Sequence, residues 1–305
     1  MSQYIKSPMN YTGGKYKMLE HIIPSFPVWT KNFVDLFAGG LNVGINVSAK
    51  NIYANDHISY LIELYRFFKE TDIHDLLSMI YERIRQYDLS LTNEKGYNSL
   101  RDDYNRNKSL VDLFVLTCYS FNHQIRFNNS HKFNTPFGKN RSAYNDSIEK
   151  SLISFCKALH DKNIILTTND FRDFDFSLLS EGDVIYCDPP YLITTSTYND
   201  GSRGFKDWTE KEDRALYALL DTLSSRGINF ALSNVFIHKG QSNDLLINWS
   251  KKYFVAYINK TYSNCSYHFK DRNTKTVEVL VTNYEWKEHE TRQMTIKARQ
   301  LTLDL

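Results

Sequence analysis

Apolar runs of strand length recur along the chain at "NFVDLF" (32–37), "NIYAND" (51–56), "NIILTTND" (163–170), "DVIYCD" (183–188), "INFALSN" (228–234), "FVAYIN" (254–259) and "VEVLVTNY" (277–284). Their length and β-branched content predict buried strands. Between them lie segments of helical pattern: "GINVSAK" after the first run, "SYLIELYRFFKE" (59–70), "SIEKSLISFCKALHD" (147–161) and "TEKEDRALYALLDTLSSRG" (209–227). The last carries Thr209 before a Glu-rich first turn and Gly227 just past its end, the start and stop signals of a helix. Strand–helix alternation predicts an open α/β sheet. Several runs end in Asn or Asp, and in such sheets ligands lie beyond the carboxyl ends of the strands.

The alternation breaks once. Residues 57–162 show helical periodicity without a clear buried strand, which predicts an inserted domain between two parts of a sheet domain, 1–56 and 163–290. The insert begins helical (59–118) and ends in "CYSFNHQIRFNNSHKFNTPFGKN" (118–140), whose alternating polar and aromatic residues around Asn128-Asn129-Ser130 predict a β-hairpin with a polar turn. The final residues, with 291–305 as a C-terminal tail, are charged and predict a peripheral helix or loose tail.

Composition narrows the class. A chain of 305 residues with 42% hydrophobic content supports one large core or two unequal ones. A formal net charge of +2 permits a nucleic-acid partner without demanding one. Aromatic residues make up 14%, enough to furnish base-stacking surfaces, although core packing is their commoner use. The four cysteines show neither CxxC spacing nor a zinc-site pattern, so they read as reduced thiols, with no metal and a cytoplasmic location expected. No apolar signal core begins the chain and no apolar run is long enough for a membrane span.

Four motifs carry chemistry. In "FVDLFAGGLNVGINV" (33–47), Ala38-Gly39-Gly40 puts Cβ-free backbone after a strand, where a ligand can approach closely; any tight strand–helix turn would look similar. The GGxxxG spacing is not the GxGxxG of pyrophosphate sites. Asn55-Asp56 follows Asp35 by about twenty residues, where related folds place an acid against ribose hydroxyls. Asp170-Phe171 ends another strand and offers an acceptor for an exocyclic amine beside a ring for a purine, or else a solvated turn. Finally, Asp188-Pro189-Pro190-Tyr191 stops a buried strand abruptly. Proline neither continues a ladder nor a helix, so the carbonyls of Asp188 and Pro189 are freed beside the Asp188 carboxylate, with Tyr191 as a stacking surface. Such acceptors suit an aromatic amine that must attack an electrophile.

These residues resemble the Dam-like, S-adenosylmethionine-dependent, adenine-N6 DNA methyltransferases, whose catalytic tetrapeptide is DPPY. The resemblance covers most of the chain, from "MNYTGGKYKML" (9–19) to "VEVLVTNYE" (277–285). It implies a Rossmann-like methyltransferase sheet with Tyr11, Gly13, Gly14 and Lys15 at the cofactor. "FVDLFAGGL" is similar to the family's glycine loop, with Asp35 where Glu is usual and Leu41 where a third Gly often stands, and it implies Asp35, Phe37, Ala38, Gly39 and Gly40 as cofactor contacts. Asn55-Asp56 resembles the ribose motif, Asp170-Phe171 the adenine motif, and Asp188 to Tyr191 the catalytic one. The 57–162 insert stands where the family carries its target-recognition domain, and "FNTPFGK" (133–139) is similar to the family's hairpin end.

An amine inside a duplex cannot reach a cofactor at a sheet edge, so the adenine must be flipped out. Gln124, Arg126, Asn128, Asn129, Lys132 and Lys139 of the hairpin have the chemistry to read base edges or phosphates, and Lys270 and Arg272 in "KTYSNCSYHFKDRNTKT" (260–276) suit phosphates. "LITTSTYNDGSRGFKDW" (192–208) has the length and composition of a lid over the extruded base. The expected activity is methyl transfer to adenine N6 in a short duplex site by a monomer, within a restriction–modification system that includes a cognate endonuclease. The alternatives are a catalytically silent DNA-binding protein of the same fold and an RNA adenine methyltransferase.

Overall fold

In the computed structural model, the residues described are 4–11, 13–194, 208–258 and 276–286. The expected tail, most of the expected lid, Lys270 and Arg272 lie outside them. A short helix α1 (Leu19–Ile22) leads into β1 (Thr30–Asp35) and β2 (Ala49–Asn55); then come α2 (Ser59–Glu70), α3 (Ile73–Gln86), α4 (Glu94–Asn107), α5 (Leu110–Tyr119) and α6 (Asp146–Asp161). The chain continues through β3 (Ile164–Thr167), β4 (Val184–Cys187), α7 (Glu210–Ser225), β5 (Asn229–His238), β6 (Gln241–Ser242), α8 (Asp244–Ser250), β7 (Phe254–Tyr257) and β8 (Thr276–Thr282). Each expected strand is present; the two-residue β6 carries no apolar signal that would predict it.

The strands join in one sheet of order β3-β2-β1-β4-β5-β8-β7, with β6 paired to β5. The first five in that order are parallel, and β8 runs antiparallel to both β5 and β7. From β1 the chain works outward to β2 and β3, then returns to β4 on the other side of β1. This reversal opens a crevice beyond the carboxyl ends of β1 and β4, where such sheets bind ligands. Asp35, at the end of β1, lies opposite both Ala54 and Tyr186. The loops that follow β1, β2 and β4 therefore leave from one edge.

Both faces of the sheet are covered, which is why its central strands are apolar throughout. Val34, Ile185, Phe230, Leu232, Val279 and Val281 face one way and pack with side chains of α7 and α8. Phe33, Ile52, Val184, Tyr186 and Leu280 face the other way. Their cluster runs without interruption through α2, α5 and α6 to Phe127, Phe133 and Phe137 of the expected hairpin, so the insert and this sheet face share a core.

Helix ends follow the local chemistry. Thr209 and Glu212 form a reciprocal capping box at the start of α7, and Asn145 accepts from Ser147 and Ile148 amides at the start of α6. The expected helix over "GINVSAK" is instead a single 3-10 turn, Gly44–Asn46. Val47 is already extended and feeds β2, so too few residues remain to pay for nucleating a helix. The hairpin folds back as expected, but with only the isolated bridges Ser120↔Phe137 and Phe127↔Phe133. Asn105 of α4 takes both the N–H and the C=O of Phe133 (2.7 and 3.0 Å), groups that a continuous ladder would use.

Candidate active site

The glycine loop after β1 is built around one carboxylate. Asp56 accepts from the Gly39 amide (2.8 Å) and the Ile58 amide (2.9 Å), tying the ends of β1 and β2 together. Gly39 adopts φ +46, and a Cβ there would lie 2.8 Å from the Tyr11 ring, so the position requires glycine for both conformation and space. Leu41, where the resembling family often has glycine, also takes a left-handed φ of 54 and is fully buried. Tyr65 donates to the Gly39 carbonyl from beneath (2.7 Å).

Asp35 closes the floor. Its Oδ2 accepts from the Gly44 amide (2.9 Å), while Oδ1 is buried with no hydrogen-bond partner among the described residues. Burial, reinforced by repulsion from Asp188 and Asp56, overcomes the Gly44 bond and pushes its carboxyl up to about 7. Burial likewise raises Asp56, against the pull of His57 and the two amides.

The turn after β4 delivers Asp188 to the same place. Its Oδ1 accepts from Lys15 Nζ (2.9 Å) and from the Tyr191 hydroxyl (2.9 Å). Lys15 is itself buried, donates also to the Gly13 carbonyl (3.1 Å), and lies 4.9 Å from the centroid of the Tyr191 ring. Burial raises the Asp188 carboxyl, and the Lys15 charge and the two hydrogen bonds oppose it. Tyr186, beneath, shares a hydrogen bond with Ser233 (2.8 Å).

One cleft gathers most of the expected cofactor residues. Tyr11, Gly13, Gly14 and Lys15 line it from the N-terminal segment. Asp35, Phe37, Ala38, Gly39 and Gly40 come from the β1 loop, Asp56 from the end of β2, and Asp188, Pro189, Pro190 and Tyr191 from the end of β4. Three expected residues do not line it. Asn55 is turned inward: its amide donates to the carbonyls of Leu36 and Asn169 and its oxygen accepts from Thr167 and the Asn169 amide. Asp170 is held by Arg172 through two 2.7 Å contacts, which keep its carboxyl below the usual range. Phe171 is buried behind Phe37, with ring centroids 5.6 Å apart. Asn42, Val43, His57, Ile58 and Tyr186 complete the lining. Of these, Asn42 and Val43 lie within the glycine-loop stretch and Tyr186 within the strand before Asp188, while His57 and Ile58 directly follow Asn55-Asp56.

The folded-back segment 118–140 presents polar residues on a base of buried rings. Phe127 and Phe133 pack on Tyr104, while Gln124, Arg126, Asn129, Lys132 and Lys139 are exposed. Arg126 leans on Asn134 (3.1 Å). Asn128 spends its carbonyl oxygen on the Ser130 and Lys132 amides, so it shapes the turn. Among the described residues, no group of His, Cys, Asp and Glu is arranged to hold a metal and no helix is long and apolar enough to cross a membrane. Cys118, Cys156 and Cys187 are free, buried thiols.

An open sheet with a glycine loop, an acid-braced cleft and an Asp-Pro-Pro-Tyr turn at its switch point is the architecture of a Rossmann-like methyltransferase. Residues 11–292 match the family of D12 class N6 adenine-specific DNA methyltransferases, and the chain belongs to that family. It is 48% identical over 283 residues to a type II methyltransferase, M.FokI, of Planomicrobium okeanokoites, covering 93% of this chain and 43% of the relative. It is 46% identical over 287 residues to the modification methylase StsI of Streptococcus sanguinis, covering 93% of this chain and 44% of that relative. A DNA adenine methylase of Escherichia coli is 26% identical over 232 residues, with 74% of this chain and 79% of the relative covered. The chain thus spans less than half the length of the first two.

Proposed function

We propose that the protein transfers a methyl group from S-adenosylmethionine to the N6 amine of an adenine flipped out of a short, specific duplex DNA sequence. Its setting is a restriction–modification system with a cognate endonuclease, in the cytoplasm, with a prokaryotic or phage-encoded origin. The observation that carries this reading is Asp188. It sits at the sheet's switch point, seated by Lys15 at 2.9 Å and by Tyr191, directly beside a cleft whose floor is acid and whose wall is glycine.

The residues present fit the donor. The unpartnered Asp35 Oδ1 is a buried acceptor suited to an ammonium group, Asp56 has lone pairs left for ribose hydroxyls, and Phe37 offers a ring for the purine. When bound, S-adenosylmethionine supplies a methyl group already attached to a leaving sulfonium. The chain's own contribution is positioning and electrostatics. Asp188 and the carbonyls freed by Pro189 and Pro190 accept from the amine and keep its lone pair aimed. Tyr191, with its hydroxyl pinned to Asp188 and Lys15 close to its ring, offers its remaining surface to the base. The polar residues of 118–140, anchored by Phe127 and Phe133, face the duplex as the target-recognition part of the 57–162 insert, with Gln124, Arg126, Asn129, Lys132 and Lys139 as contacts.

Asp188→Ala tests this. Methyl transfer to duplex DNA in vitro is expected to disappear while cofactor-independent DNA binding persists. Turnover retained in that variant would refute the assignment, and a silent DNA-binding protein would instead show no transfer with the wild-type chain.

A further inference from the structure

Glu278, on β8, belongs to none of the four motifs given chemistry above. It lies opposite Val235 of β5, its backbone carbonyl accepts from Ile258 at the end of β7 (3.1 Å), and its Oε2 is buried with no hydrogen-bond partner among the described residues. An orphaned buried carboxylate oxygen is costly unless something in its field repays it. Among the described residues, the titratable and charged groups whose fields couple to it are Lys15, Asp188 and Tyr191. Its neighbours across the ladder and at the β7 end, Val235 and Ile258, are apolar.

The charges do not balance. Lys15 and Asp188 cancel one another as a 2.9 Å ion pair, and burial holds the Tyr191 phenol neutral. The carboxylate of Glu278 is therefore left as the net negative charge of the group. In methyl transfer to an amine, the nitrogen–carbon bond forms as the donor's sulfur–carbon bond breaks, and positive charge leaves the sulfonium and arrives on the amine, whose extra proton then passes to solvent. A fixed negative charge near the amine favours this displacement of charge; a neutral ion pair does so far less.

We propose that Glu278 is a positioning residue for the transfer: its carboxylate shares Lys15 with Asp188 and supplies the net negative field that stabilises the amine as it becomes cationic. The proposal rests on the methyltransferase reading of the site and adds a residue to it. Burial raises the Glu278 carboxyl, with Lys15 opposing and the Asp188 charge adding to the shift, so the field is present above that raised value and is lost as pH falls through it.

The test uses Glu278→Gln and Glu278→Asp in the full chain. Glu278→Gln is expected to lower kcat by about tenfold to a hundredfold, the range for one fixed charge in a partly dry site, with KM values for cofactor and DNA little changed. The acid limb of the wild-type kcat profile, to which Asp188 also contributes, is expected to become shallower in Glu278→Gln and to regain its steepness in Glu278→Asp. A second readout needs no turnover: a duplex carrying cationic 1-methyladenine in place of the target adenine should lose about tenfold more affinity on Glu278→Gln than the unmodified duplex does. Wild-type kcat and acid limb in Glu278→Gln would overturn the proposal, as would equal losses for the two duplexes. An inactive wild-type chain, by contrast, would sink the underlying methyltransferase reading.

Discussion

Asp35→Asn should make the empty protein more stable above neutral pH while removing the acceptor proposed for the cofactor's ammonium group. The carboxyl of Asp35 is 1% exposed, one of its oxygens has no partner, and burial lifts it to about 7. In the unfolded chain the same group titrates near about 3.9. Because the folded value is the higher one, the folded state holds its proton longer, and stability falls as pH rises from the unfolded value to the folded one. A span of roughly three pH units at about 1.4 kcal/mol each gives about 4 kcal/mol as an upper estimate of the loss. Asn keeps the shape and the Gly44 bond, lacks the titration, and leaves an unpaired amide that costs about 1–3 kcal/mol at all pH values. Urea unfolding of both proteins without cofactor, from about pH 4 to pH 8, measures the difference directly. Wild-type stability should decline relative to Asp35→Asn across that interval and run parallel above it. Parallel curves throughout would show that the carboxyl is neither desolvated nor raised.

Other expectations are narrower. Gly39→Ala forces a side chain into a left-handed backbone position 2.8 Å from the Tyr11 ring, so calorimetry should show cofactor affinity reduced at least tenfold, with about 1–2 kcal/mol lost in stability. Lys15→Met leaves Asp188 without its cation in a buried site; its carboxyl should rise, and methylation should fall by about a hundredfold or more at neutral pH, with recovery toward higher pH as Asp188 ionises. Arg126→Ala removes an exposed cation of the folded-back segment; filter binding over a salt series should give a slope smaller by about one if Arg126 meets a phosphate, and relaxed sequence preference at one position if it meets a base.

The sheet was legible because each buried strand is a short apolar run, and the run "VEVLVTNY" even shows Glu278 as its odd polar member. What one strand's pattern cannot reveal is which groups elsewhere that carboxylate meets; that follows from β8 pairing antiparallel with β5. The Asp-Pro-Pro-Tyr turn was legible as a turn for a similar local reason: two prolines and a carboxylate after a buried strand leave few conformations open. Asn55 misled because a polar residue at a strand end looks alike whether it faces a ligand or, as here, clamps the loops after β1 and β3. Asp170 is likewise held by a neighbour two residues on, Arg172, which spacing alone does not reveal. Over "GINVSAK" helical composition was present, but the chain length between the glycine loop and β2 allowed a single turn.

The most direct test of the account is to sequence modified bases in genomic DNA from a methylation-free host that expresses only this chain, alongside the same host expressing Asp188→Ala. The account predicts N6-methyladenine at one short recurring sequence in the first and none in the second. Methylated adenines scattered without a common sequence, methylation on another base, or equal methylation in both cultures would contradict it.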